Sequence, residues 1–146
     1  EKGFRLNDIK INDASVVKKE HQEIEDDYIY KMVHKVLEST LSFINPKKAA
    51  DVSLICLKQL LNDFTLEYNE EIATKFVSHT INMFERIIRN DPLKYHRLSS
   101  FVTKNQKMMD IIAKDMKYAE ESFGITMPTS ELAYICEIFT DRNIML

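Results

Sequence analysis

Four histidines, His21, His34, His79 and His96, are the side chains of this chain that ordinarily change charge near neutrality. His21 lies in the charged run 18–27 and reads as a solvated residue. His96 follows Pro92 in a connecting stretch and reads as exposed. His34 sits among apolar neighbours on a helix and reads as a packed or half-exposed helix residue. His79 is set apart by its position. On a helix turning about 100° per residue, Ile72, Phe76, Thr80, Met83, Phe84, Ile87 and Ile88 share one broad arc. His79 falls just outside one edge of that arc, and Arg86 lies two turns further along the same edge. Such an imidazole is held by packing yet reachable from solvent. An arginine roughly 10 Å along the axis can bring its long side chain to the ring or to an anionic group attached to it. The plain reading, a boundary histidine that merely packs, stands beside this one.

Other chemistry is sparse. Glu70-Glu71 and Glu120-Glu121 are adjacent pairs that do not share a helical face, so they read as solvated. No serine or cysteine triad and no phosphate-cradling glycine loop can be placed. Cys56 and Cys136 both sit in apolar runs and read as buried free thiols; no zinc spacing occurs, and no metal or other cofactor is expected. Met108-Met109 suits core filling better than an adaptable binding surface. The net charge is -3 and the lysine pairs Lys18-Lys19 and Lys47-Lys48 are isolated, which argues against direct nucleic-acid contact. No stretch is apolar for long enough to span a membrane, and a reducing cytoplasm fits the cysteine usage.

The elements that must position these residues are helical. Only two glycines and three prolines occur in 146 residues, and the prolines fall between periodic segments. Residues 1–26 lack a sustained pattern and read as a linker or N-terminal arm. The chain begins with Glu1 and no signal pattern follows, so it reads as a fragment of a longer protein. A first helix is expected over about 27–43. A second, over about 46–62, opens on Asn45-Pro46, a capping residue followed by proline. Its apolar face is Ala49, Val52, Ile55, Cys56, Leu60 and Leu61. A third spans about 70–90, with an acidic start and a basic end that suit the helix dipole. Residues 93–101 form a connection with room for a short helix. A fourth long helix covers about 104–123, with Met108, Ile112, Met116, Ala119 and Phe123 in one stripe and Gly124 as its C-cap. A fifth opens near Thr129 or Ser130. The expected fold is all-α: a compact five-helix bundle of antiparallel helices.

Three segments carry a family resemblance. Ser78-His79-Thr80-Ile81-Asn82-Met83-Phe84-Glu85-Arg86-Ile87 resembles the first histidine motif of PTS regulation domains, in which an arginine follows the histidine by seven residues. Met127-Pro128-Thr129-Ser130-Glu131-Leu132-Ala133-Tyr134-Ile135 resembles the motif that opens the last helix of that family. Leu41-Ser42-Phe43-Ile44-Asn45-Pro46-Lys47-Lys48-Ala49 is similar to the entry of the version found in levanase-operon-type, sigma-factor-dependent activators. The resemblance covers about 27–140, which makes 27–146 the PTS regulation domain.

The resemblance implies a regulatory module of a bacterial sugar-operon activator that is not itself an enzyme. Such domains accept phosphoryl groups on histidine from the sugar phosphotransferase system, either from its phosphocarrier protein or from an EIIB component. His79 matches the phosphorylated histidine and Arg86 its support or packing anchor. Association with a second copy is implied as well. One departure stands out: the family's second histidine aligns with Ile138, so a single-histidine, C-terminal type is expected. Two other readings are a degenerate bundle that only mediates protein contacts or dimerises, and a two-component phosphotransfer domain. The latter usually carries lysine and glycine shortly after its histidine, where this chain has Thr80, Ile81, Asn82 and Met83.

Overall fold

The computed structural model describes residues 27–36 and 44–140, and every regular element among them is a helix. Helix α1 occupies 27–36. It is followed by α2 (Pro46–Asp63), α3 (Glu70–Ile88), α4 (Leu98–Lys104), α5 (Gln106–Asp115), α6 (Lys117–Phe123) and α7 (Thr129–Thr140). The expected linker or arm over 1–26, the expected remainder of the first helix to 43 and the chain beyond 140 lie outside the described residues.

Helix ends form where the residues satisfy the orphan backbone groups. Asn45 accepts from the Lys48 amide at 3.0 Å and Pro46 opens α2, as its lack of an N–H allows. Asn69 does the same for α3, accepting from the Ile72 amide at 2.8 Å, and Glu70 and Glu71 complement the dipole there. Gly124 ends α6 at φ 65, a left-handed conformation in which an L side chain would be strained.

The structure departs from the five-helix expectation between 98 and 123. The connection after α3 carries α4, and the expected single fourth helix is divided at Met116, where ψ flattens to -2. The backbone bonds persist through the bend. The Met116 amide donates to the Ile112 carbonyl at 2.9 Å, and its carbonyl accepts from Ala119 and Glu120 at 3.0 and 3.1 Å. The bend lets both α5 and α6 pack on α2. Periodicity survives a bend of this kind, because the apolar stripe continues through Met116 and Ala119, both buried.

Helix α3 packs against α2 and α7. Phe76, Phe84, Phe139, Leu57, Leu60, Ile81 and Ile135 of these helices are fully buried, as is Ile112 of α5. The Phe139 ring meets those of Phe64 and Phe76 with centroids 5.2 and 6.0 Å apart. Two residues assigned to apolar faces are open to solvent instead. Ile55 is 40% exposed, since it lies roughly 100° from the centre of the arc through Ala49, Val52, Cys56 and Leu60. Ile88 closes α3 and is 41% exposed. A buried hydroxyl pair joins α2 to α3: Ser53 Oγ and Thr80 Oγ1 are 3.0 Å apart, and Thr80 also donates to the Val77 carbonyl. Cys56 and Cys136 are buried free thiols, and burial pushes them up to about 12 and about 11, so both stay protonated. No helix among the described residues is long and apolar enough to cross a membrane.

Where α2 and α5 end, the half-buried Asp63 and the buried Asp115 meet the exposed Lys114, whose Nζ lies 3.3 Å from Asp63 and 3.8 Å from Asp115. Burial, and then the neighbouring Asp63, push the Asp115 carboxyl up to about 7. Asp63 is lowered, first by its hydrogen bond with Asp115 and further by Lys114 and Gln59, against its own burial. The folded chain therefore holds the Asp115 proton more tightly than the unfolded chain does. That contribution is complete below the ordinary aspartate value of 3.8 and is lost as pH rises toward about 7. Asp63 acts in the opposite sense: its contribution is present above 3.8 and fades as pH falls through its lowered value. Asp115→Asn is expected to raise the melting temperature at about pH 8, by an amount that shrinks toward about pH 4, as thermal scans across that range will show.

Candidate functional site

His79 and Arg86 lie on the same edge of α3 and are both half-buried, as the helical arc requires. The Arg86 fork is turned to Glu131 in the first turn of α7. Its Nε donates to Glu131 Oε2 at 3.0 Å and its Nη2 to Oε1 at 2.8 Å. Glu131 has no exposed surface, whereas the Arg86 side chain is 24% exposed. A third donor, the Leu93 amide, reaches Glu131 Oε2 at 2.7 Å. Burial alone would raise the Glu131 carboxyl. The Arg86 guanidinium and the Leu93 N–H more than reverse that, holding it below the usual value of 4.5, so it is ionised at neutral pH.

The His79 ring packs beside Tyr134 of α7, centroids 6.2 Å apart. Its Nε2 is buried and has no hydrogen-bond partner among the described residues. Burial, and then the positive charge of Arg86, lower its pKa below the ordinary 6.5, against the pull of Glu131 and Glu137. At neutral pH the ring is therefore uncharged and keeps a lone pair, which is the form a nucleophile or phosphoryl acceptor needs.

The connection between α3 and α4 is fastened beside this ring. Ser130 Oγ donates to the Leu93 carbonyl at 2.8 Å and the Tyr134 hydroxyl to the Lys94 carbonyl at 2.6 Å. The Tyr95 hydroxyl donates to Glu137, and its ring packs on those of Tyr134 and Phe101 at 4.8 and 4.9 Å. Burial, and then Glu137, raise the Tyr95 phenol well above its usual range, so it remains a donor.

Of the residues singled out from the sequence, His79 and Arg86 are thus brought to one site, but the described contacts pair Arg86 with Glu131 rather than with the imidazole. His34 and His96 are exposed on α1 and in the connection; His21 lies outside the described residues. Glu131, Glu137, Tyr95 and Tyr134 were not read as surroundings of His79. Glu131 left a signal: a carboxylate directly before Leu132 and Ala133 on an apolar helix needs a cation, and Arg86 borders the α3 stripe. Among the described residues no group of three or more metal-binding side chains comes together.

Removing either partner of the pair separates its two halves. Arg86→Met strands a fully buried carboxylate and is expected to cost about 3–5 kcal/mol in urea denaturation. Glu131→Gln keeps an acceptor for Leu93 and leaves only a partly solvated guanidinium. It should cost clearly less, and equal losses would contradict this account of the burial asymmetry.

The PRD domain model matches residues 55–141, a span that holds α3 with His79 and Arg86, the fastened connection and α7 with Glu131. The chain is also similar to the transcriptional regulatory protein LevR of Bacillus subtilis (strain 168), 24% identical over 106 residues, which cover 73% of this chain and 11% of LevR. It therefore spans about a tenth of the length of that curated relative. No solved structure matches it. With more than half of its length matched, the chain belongs to the PRD domain family.

Proposed function

We propose that this PRD domain is a phosphorylation-controlled regulatory module of a bacterial sugar-operon transcriptional regulator, with His79 as its phosphoryl acceptor. The observation that carries the reading is the setting of His79: a half-buried imidazole on a helix edge, kept neutral by burial and Arg86, between the Arg86–Glu131 pair and Tyr134. The donor is the phosphocarrier protein or an EIIB component of the sugar phosphotransferase system. An imidazole lone pair attacks phosphorus, and the bond from phosphorus to the donor side chain breaks as the nitrogen–phosphorus bond forms. The domain catalyses nothing itself and needs no cofactor; the charge it gains is the signal. Arg86 anchors the site and lends positive charge to the phosphoryl group. With Ile138 at the position of the family's second histidine, His79 is the single acceptor. The module works in the cytoplasm, pairs with a second copy, and leaves DNA contact to other parts of the regulator.

One observation favours the contact-module reading: the His79 Nε2 is buried and lacks a partner, as in a ring that only packs. Labelling separates the two. Phosphorylated phosphocarrier protein or EIIB should add one phosphoryl group to the wild-type chain and none to His79→Ala, measured by intact mass under conditions that spare phosphohistidine. Label on His34 or His96 would refute the site, and no label from either donor would leave the contact module. Because His79 takes up its proton only below 6.5, the loading rate should stay flat as pH falls to that value and decline beneath it.

A further inference from the structure

Segment 91–96 runs between two non-glycine residues in left-handed conformation, Asn90 at φ 61 and Arg97 at φ 57. Side chains of α7 hold it along its length. Ser130 and Tyr134 bond the Leu93 and Lys94 carbonyls, Glu131 takes the Leu93 amide and Glu137 the Tyr95 hydroxyl. Apolar burial adds little to this: Leu93 is 40% exposed, and only the half-buried Tyr95 ring packs, against Tyr134 and Phe101. It is a strap fixed mainly by polar contacts between two backbone corners, a construction that opens locally more readily than a packed helix does.

Two of the four fastenings are carboxylates, and both lie within electrostatic reach of His79. We propose that segment 91–96 is a latch, closed while His79 is unmodified and released by a phosphoryl group on that ring. Phosphohistidine brings more negative charge than a carboxylate. Placed beside Glu131 and Glu137, it repels both and competes with Glu131 for Arg86. Every consequence falls on the strap: Glu131 loses hold of the Leu93 amide, Glu137 of Tyr95, and the Tyr95 ring leaves its place against Tyr134. The modification would then be read out as a freed connection that uncovers Tyr95 and lets the already exposed Leu93 and His96 move, with the α2–α3 core unchanged.

The trigger rests on His79 as acceptor; the latch rests on the hydrogen bonds alone. The Leu93 amide is the reporter, since its proton is held by Glu131. Hydrogen exchange followed by NMR should be compared in three forms of the chain. These are the wild type, His79→Glu, and a variant with His21, His34 and His96 changed to Gln and loaded on His79 with phosphoramidate, which gives up its phosphoryl group as ammonia leaves. Exchange at Leu93 should rise about tenfold or more in both negatively charged forms, while amides of α2 keep their protection. His79→Gln should leave Leu93 protected. Unchanged protection of Leu93 in both charged forms overturns the latch, and so does faster exchange spread through α2 and α3. Neither charged form needs a protein donor. Failure of the donors with success here removes the proposed input and keeps the latch; the opposite result removes the latch and keeps the acceptor.

Discussion

A carboxylate with no exposed surface has to be answered where it lies. Taking Glu131 out of water costs several kcal/mol, and only a close, well-directed set of donors offsets that. The Arg86 fork and the Leu93 amide form that set, and they come from the last turns of α3 and from the connection behind it. Three stretches of chain are thereby forced together at one end of the fold. The start of α7 has to face the end of α3, and the connection has to pass close enough to offer its backbone. The surroundings of His79 follow from this convergence. The ring sits on the same edge of α3, two turns before Arg86 and against Tyr134 of α7, in a field set by the pair.

The pair also decides what Arg86 can do. An arginine free in solution would follow any anion brought to His79. Here two of its donors are committed to a partner that cannot easily be left uncompensated, so its charge reaches the ring mainly through space. The result is an imidazole held neutral near physiological pH, with its inner nitrogen unpartnered. Added charge at that ring meets both the positive potential of Arg86 and the negative potential of Glu131 and Glu137.

Much of this was legible in the sequence wherever one residue type answers a local need. Asn45-Pro46 and Gly124 marked helix ends because capping and left-handed backbone have few other solutions. The edge position of His79 and Arg86 followed from helical geometry alone. What escaped depends on distance in space. The separation of 45 positions from Arg86 to Glu131 hides their pairing from any local pattern, though a carboxylate next to Leu132 and Ala133 hinted that a cation was owed. The break at Met116 was invisible because the apolar stripe runs through it and the backbone bonds are kept. Ile55 was misplaced because a hydrophobic side chain at the margin of an arc looks, in sequence, like one at its centre.

The hydroxyl contact between Ser53 and Thr80 has a mechanical corollary. It lies one residue from His79, deep in a largely apolar interface, where Ser53 meets Thr80 and Thr80 also bonds the Val77 carbonyl of its own helix. Sliding α3 along α2 would break the bond between the helices in a medium without water and take from Ser53 its Thr80 partner, a penalty large for so small a group. The contact works as an index pin that fixes the height of the imidazole relative to its neighbouring helix. Any rearrangement answering a new charge on that ring must therefore pivot about the pin or spend itself in the softer chain beyond it, rather than travel down the helix axis.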